Sequence, residues 1–329
     1  MQRSKFMIVG VVSVLAACGG GGGGGVTAVT SPVPTLSIDA NNAADVAKVS
    51  YESALATGDL GALTTDGLIL SNEPGGTFAK LDKAIAGVAK TGARQAFVPI
   101  PEETADCASS GTVTVSGEIA DPFTPTLSPG DFFVINYNAC NEGLGDVIDG
   151  GMRLDINSFS GDFLNQRFAM SSTLTLTQLQ VTTTEDVLTS HGDATVSLDT
   201  LDAPAVATSL SGNSMRSDTN TSSETATNYA SSVSVDGGQV PAPFTMSASG
   251  TLESTQLSGV VSYSTPVAFT GFGADYPSAG EFLVTGASSS LRLIAVDNVN
   301  VIIELDTNGD NTVDETIQTT WAELGVASG

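Results

Sequence analysis

The chain has 329 residues, 41% of them hydrophobic and only 14% charged, so it can bury a core of domain size and lacks the composition of a disordered protein. Its 11 basic residues stand against 36 acidic ones, a formal charge of −25, which repels nucleic acid and anionic lipid headgroups alike. No nucleic-acid partner is therefore expected, and the remaining polar surface must be supplied largely by Ser, Thr, Asn and Gly.

The first element in the chain is a leader. Arg3 and Lys5 form a short basic start, and Phe6 to Ala17 is apolar apart from Gly10 and Ser13. This is the layout of a secretory signal over residues 1–17, and it is shorter than the about 20 apolar residues that a membrane-spanning helix needs. Leu15-Ala16-Ala17-Cys18 resembles the lipobox of bacterial lipoproteins. That resemblance implies that Cys18 becomes the first residue of the mature protein, carrying a diacylglycerol on its sulfur and a fatty acyl group on its new amino end. It also implies a lasting membrane anchor, because each buried CH₂ contributes about 0.8 kcal/mol and several acyl chains hold where one is marginal. Gly19 stands where an Asp commonly signals retention in the inner membrane, so the same resemblance points to the outer membrane of a Gram-negative cell. Gly19 to Gly25 are then expected to behave as a flexible coil reaching on the order of 15 Å. Pro32 and Pro34 stiffen the rest of a tether that spans residues 18–35.

Residues 36–329 read as one β-rich domain. Asn41 to Ala56 is predicted as a helix, capped by Asp39 or Asn41, with Ala44, Ala47, Tyr51 and Leu55 at helical spacing and Gly58 as its stop. A second helix is expected over 77–90, with Phe78, Leu81, Ile85 and Val88 on one stripe. From Ala93 onward a period of two dominates, with abundant Val, Thr, Ser and Leu. Strands are expected over 112–116, 132–137, 153–163, 168–184, 194–198, 205–215, 225–235, 244–257, 260–270, 281–285, 290–296, 299–306 and 314–320. Between Leu174/Leu176 and Leu179/Val181 the apolar face changes phase, which predicts a bulge near Gln178. Consecutive strands without intervening helices imply an antiparallel meander. The expected fold is α+β and mainly β: two N-terminal helices packed on a large curled sheet, a half-barrel or a sandwich. A membrane-spanning barrel would need aromatic girdles, and aromatic residues are only 6% of the chain.

Three cysteines remain to be placed once the leader is read. Cys18 is the lipidation site. Cys107 and Cys140 lie beside expected strands in a disulfide-permissive compartment, and a bridge between them would close a loop worth about 3–4 kcal/mol in the chain-entropy model. Catalytic signals are sparse. The one histidine, His191, sits in the turn-like Ser190-His191-Gly192-Asp193, no nucleophile elbow, P-loop or H-E-x-x-H motif occurs, and Trp321 reads as a core or hairpin-packing residue. No residue is assigned a catalytic role.

One constellation remains, Asp306 to Glu315, "DTNGDNTVDE". It resembles the calcium loops of EF-hand and dockerin-like modules. That resemblance implies Asp306, Asn308 and Asp310 as the first ligands, the Thr312 carbonyl and Asp314 as the next, and Glu315 in place of the bidentate Glu, where the motif's own position holds Ile317. Asn311 stands at the turning glycine, and the flanking residues read as strands, so an EF-hand fold is not expected. An acid-dressed hairpin turn at Asn308-Gly309 accounts for the same residues. The expected function is that of a non-catalytic, lipid-anchored envelope protein with a structural, adhesive or binding role, calcium being its one candidate cofactor. The alternative is a carrier for a lipid or other apolar ligand held in the curled sheet, and a hydrolase would need His191 in a pocket beside a nucleophile.

Overall fold

The computed structural model describes residues 33–65, 98–120, 127–141, 143, 146–162, 167–183, 187–273 and 275–326. The leader, Cys18, most of the tether and the helix expected over 77–90 lie outside these residues.

The described chain is dominated by one antiparallel sheet of fourteen strands in strict sequence order, β1 to β14. They are β1 Val98–Asp106, β2 Ser110–Ile119, β3 Phe132–Asn141, β4 Val147–Asp162, β5 Arg167–Thr182, β6 Val187–Asp199 and β7 Ala205–Asp218. The second half comprises β8 Ser223–Asp236, β9 Pro243–Ser254, β10 Gly259–Phe272, β11 Ala279–Gly286, β12 Ser289–Ala295, β13 Asn300–Asp306 and β14 Glu315–Thr320. The meander was legible because its turns are short and its strands alternate. In β5, Phe168, Met170, Ser172, Leu174 and Leu176 turn inward at period two, and Leu179 resumes the inward face after a slip. Gln178 takes φ 53° at that slip, and the pairing of β5 with β6 shifts between Leu176 and Leu179, as the phase change predicts. β1 was missed in sequence because Pro99 and Pro101 interrupt it. Prolines are tolerated on a sheet edge, and β1 is one.

The inward residues form two clusters. One gathers β1 to β8, from Val98 through Leu174 and Leu198 to Tyr229. The other gathers β9 to β14 with Ile38, the helix α1 (Ala43–Thr65) and Trp321 and Leu324 of the short helix α2 (Trp321–Leu324). Only one of the two expected N-terminal helices falls within the described residues, and it differs from expectation in detail. Gly58 lies inside α1 and does not stop it, although a mid-helix glycine costs about 1 kcal/mol relative to alanine. Of the expected stripe, Ala47 and Tyr51 are buried and Leu55 packs half-buried against the second cluster, whereas Ala44 is exposed. The buried positions are Ala43, Val46, Ala47, Val49, Ser50, Tyr51, Ser53 and Ala54. At about 100° per residue these cover roughly 200° of the helix surface, twice the stripe of a helix lying on a flat face. Such an arc belongs to a helix enclosed on more than one side, which a curled sheet supplies. Before the helix, the Asp39 carboxylate accepts from the Asn41 and Asn42 amides, and the Asn42 side-chain oxygen accepts in turn from the Asp39 amide.

Candidate functional site

Three places carry the residues that sequence reading singled out, a fourth emerges from the structure, and the four do not converge on one centre. The first is the bridge. Cys107, in the β1–β2 turn, and Cys140, on β3, are joined by a disulfide with Cα atoms 5.5 Å apart. Both are buried, and the bond ties the edge hairpin to the third strand. Gly111 makes the approach of the chains possible: it holds φ 75°, and a Cβ there would sit 1.9 Å from the Ala139 carbonyl oxygen.

The second is His191. The turn read at Ser190-His191-Gly192-Asp193 is instead the middle of β6, with His191 opposite Arg216 and Gly192 opposite Met215 in the register with β7. Gly and Asp usually punctuate chains, which is why the stretch looked like a turn. Here Gly192 holds φ 138°, and a Cβ on it would lie 2.5 Å from the Ser214 carbonyl. The His191 imidazole lies 4.0 Å from the Asp218 carboxylate. That carboxylate is already gripped by Arg216 through bonds of 2.8 to 3.0 Å, and the Arg216 hydrogen bond, followed by one from Ser223, holds its pKa down at about 2. A base orienting a nucleophile is not what surrounds His191; a surface ion-pair cluster is.

The third is the loop from Asp306 to Glu315 between β13 and β14. All its residues are brought together, but their oxygens are turned to donors of the loop itself. The Asp306 carboxylate accepts from the amides of Gly309 (2.6 Å), Asn311 (2.8 Å) and Asn308 (3.2 Å). Burial would raise its pKa, and the amides of Gly309, Asn311, Asn308 and Asp310 outweigh that and hold it below the usual carboxylate value. The Asn308 side-chain oxygen accepts from the Asp310 amide, and the Asp310 carboxylate from the Thr312 amide and hydroxyl. The Asp314 carboxylate accepts from the Thr307 amide and hydroxyl and from the Asn308 side chain. Asn311 turns the chain at φ 64°, the left-handed role assigned to it from sequence. Glu315 is exposed at the start of β14, opposite Leu305. Among the described residues no three His, Cys, Asp or Glu side chains gather as a metal site would require. The donor set fits a self-satisfied Asx-type turn better than a cation cage of six to eight oxygens. Calcium at this loop rests on the sequence pattern alone.

The fourth was not foreseen. Across β4 to β9, six serines stand opposite one another in register: Ser158, Ser171, Ser197, Ser209, Ser232 and Ser247. The Ser232 and Ser247 hydroxyls are 2.7 Å apart. A shallow groove of about 570 Å³ crosses this row and also takes in Ser160, Asp199, Ala207, Ser234 and Thr245. Each serine is an unremarkable outward residue in its own strand. Only the pairing register aligns them, and register is what single-sequence periodicity does not give. A second groove, of about 390 Å³, is lined by Val33, Arg216, Glu253 and nearby Ser and Thr residues. The first groove is also lined by Phe159, Met170, Leu198 and Val233 but is shallow and open, not an enclosed cavity, and neither groove takes in His191.

The interior beneath α1 is occupied by rings. Tyr51 meets Phe269 and Phe282 edge-on at centroid distances of 5.4 and 5.9 Å and Trp321 at 5.2 Å. Trp321 is fully buried, as its core reading expected, but in α2 and not in a hairpin. It stacks on Tyr276 at 5.7 Å, and its indole N–H donates to the carbonyls of Pro277 and Asp297. Compared with known proteins, the chain matches no family model, no curated protein and no solved structure.

Proposed function

We propose that this chain is a lipid-anchored, non-catalytic protein of the Gram-negative outer membrane, with a structural or adhesive role. The anchor is Cys18, by the lipobox resemblance of Leu15-Ala16-Ala17-Cys18 and the glycine tether behind it. Between a structural module and a carrier, one observation carries the choice: the apolar side of the sheet next to α1 is filled. Tyr51, Phe269, Phe282 and Trp321 close on one another where a carrier would keep room for its ligand. What faces outward on β4 to β9 is a shallow, open groove in which Ser and Thr hydroxyls alternate with Phe159, Met170, Leu198 and Val233, and it does not enclose a ligand as a carrier cavity would.

Two measurements test this reading. Labelling cells with a radioactive fatty acid should mark the wild type and not Cys18→Ala, and equal labelling of both would remove the anchor. Mass spectrometry of the protein extracted from its membrane should find the acyl groups on Cys18 and no second, non-covalent lipid. A stoichiometric co-purifying lipid would overturn the structural reading in favour of the carrier.

A further inference from the structure

We infer that the contact between α1 and β8 is a pH-sensitive latch: Glu52 and Glu224 lie close enough there to act on one another, and loss of their protons loosens α1 from the sheet. Glu52 projects from the half of the helix opposite the Ala43–Ala47–Ala54 side, yet its Oε1 atom is buried and has no hydrogen-bond partner among the described residues. Glu224 lies near the start of β8, where its cross-strand neighbours are Ser217 on β7 and Ser254 on β9. Its carboxyl is hydrogen-bonded by Ser254 and by Ser53, the residue after Glu52 on the helix. Two acids and the hydroxyls of Ser254 and Ser53 therefore share this interface.

Among the described residues, the positive charge nearest to them is turned elsewhere. Lys48, one turn before Glu52, is the one basic group of the described residues that acts on it, and the two make no ion pair within 4.0 Å. The Lys48 ammonium lies beside Gly325, 3.2 Å from where a Cβ on that residue would be, at the C-terminal end of α2. Burial pushes Glu52 up to about 7, against the pull of Lys48. Burial and then the Glu52 charge push Glu224 up to about 7, against the hydroxyls of Ser254 and Ser53. Both values stand above the ordinary 4.5 of an unfolded glutamate. The folded state therefore holds more protons between those limits. The stability these groups lend is complete below about 4.5 and lost as the pH rises through about 7. The element that yields is the helix, because β8 is hydrogen-bonded to strands on both sides whereas α1 is held by side chains.

The same helix carries a reporter about 100° round from Glu52, since Tyr51 touches Trp321, the single tryptophan. The full chain is taken from pH 5.5 to pH 8.0. Amide exchange over residues 43–56, corrected for its intrinsic pH dependence, is expected to accelerate on the order of tenfold, and Trp321 emission to shift to the red. In the Glu52→Gln, Glu224→Gln double variant, which keeps shape and hydrogen-bonding atoms but cannot ionise, both profiles are expected to be flat. A wild type whose α1 exchange and Trp321 emission do not change over this range overturns the latch, without reference to any variant. So does a folded double variant whose profile matches that of the wild type. The single variant Glu52→Gln is the check should the double variant fail to fold: it is expected to lose most of the wild-type response, and an undiminished response counts against the latch.

Discussion

Replacing Tyr51 with alanine tests the seating of α1 directly. The side chain is 2% exposed and is surrounded by the rings of Phe269, Phe282 and Trp321 at 5.2 to 5.9 Å. Truncating a buried aromatic residue to alanine costs about 3–5 kcal/mol, the sum of lost transfer energy and the cavity left behind. Two of the three ring contacts are edge-on, the geometry in which a pair adds about 0.5–1.5 kcal/mol beyond burial. The site cannot collapse easily, because Phe269 and Phe282 are fixed on adjacent strands β10 and β11. The expected loss is therefore near the upper part of that range, about 4 kcal/mol, a large share of the about 5–15 kcal/mol by which domains are stable. Tyr51→Phe keeps the ring and should lose about 1 kcal/mol or less, the worth of a hydroxyl contact. Urea unfolding followed by Trp321 fluorescence measures both, since the indole sits in the same ring cluster. A Tyr51→Ala variant that loses less than about 1 kcal/mol, with unchanged emission, would refute the placement of α1 among these rings.

Three other expectations are simpler to state. Changing Cys107 and Cys140 together to alanine should lower stability by about 3–4 kcal/mol, because the bridge closes a loop of 33 residues; intact masses before and after reduction, differing by two hydrogens, confirm the bond first. Asp306→Ala removes the acceptor for three main-chain amides and should lower the melting temperature by several degrees, whereas millimolar calcium should leave the wild-type melting curve where it is; a calcium-dependent rise in the wild type that Asp306→Ala abolishes would restore the cation reading of this loop. His191→Ala should leave the fold unchanged in circular dichroism and change stability by no more than about 0.5 kcal/mol, as expected of a partly exposed strand residue beside a carboxylate that Arg216 already holds.

The parts of this molecule that were legible in its sequence are those written at short range. Period-two alternation gave twelve of the strands within a few residues, and a phase change inside one strand located the Gln178 bulge, because a single extra residue moves every later side chain to the other face. Two strands broke the pattern for stated reasons: β1 through its prolines, and the first half of β6 through Ser190-His191-Gly192-Asp193, where a glycine needed for close chain approach imitates a turn.

What was illegible depends on which residues face one another across the sheet. The serine row is invisible strand by strand, since Ser158 and Ser247 are 89 positions apart and meet the same row only through five successive registers. The Glu52–Glu224 contact is illegible for a related reason. Glu52 lies outside the apolar stripe of its helix, where a charged residue is ordinarily solvated, and Glu224 opens a strand of Ser, Thr and Ala. Glu52 falls outside the buried arc of α1 and is only half-buried, so its covered Oε1 atom follows from tertiary packing that the helix period does not record. The curl of the sheet follows from length. Fourteen strands at about 4.8 Å would make a flat sheet of more than 60 Å, with one apolar face for which the described helices supply little cover. The sheet must therefore bend toward its own apolar side, and a helix held inside the bend buries a broad arc of its side chains while Ala44 and Asp45 stay exposed.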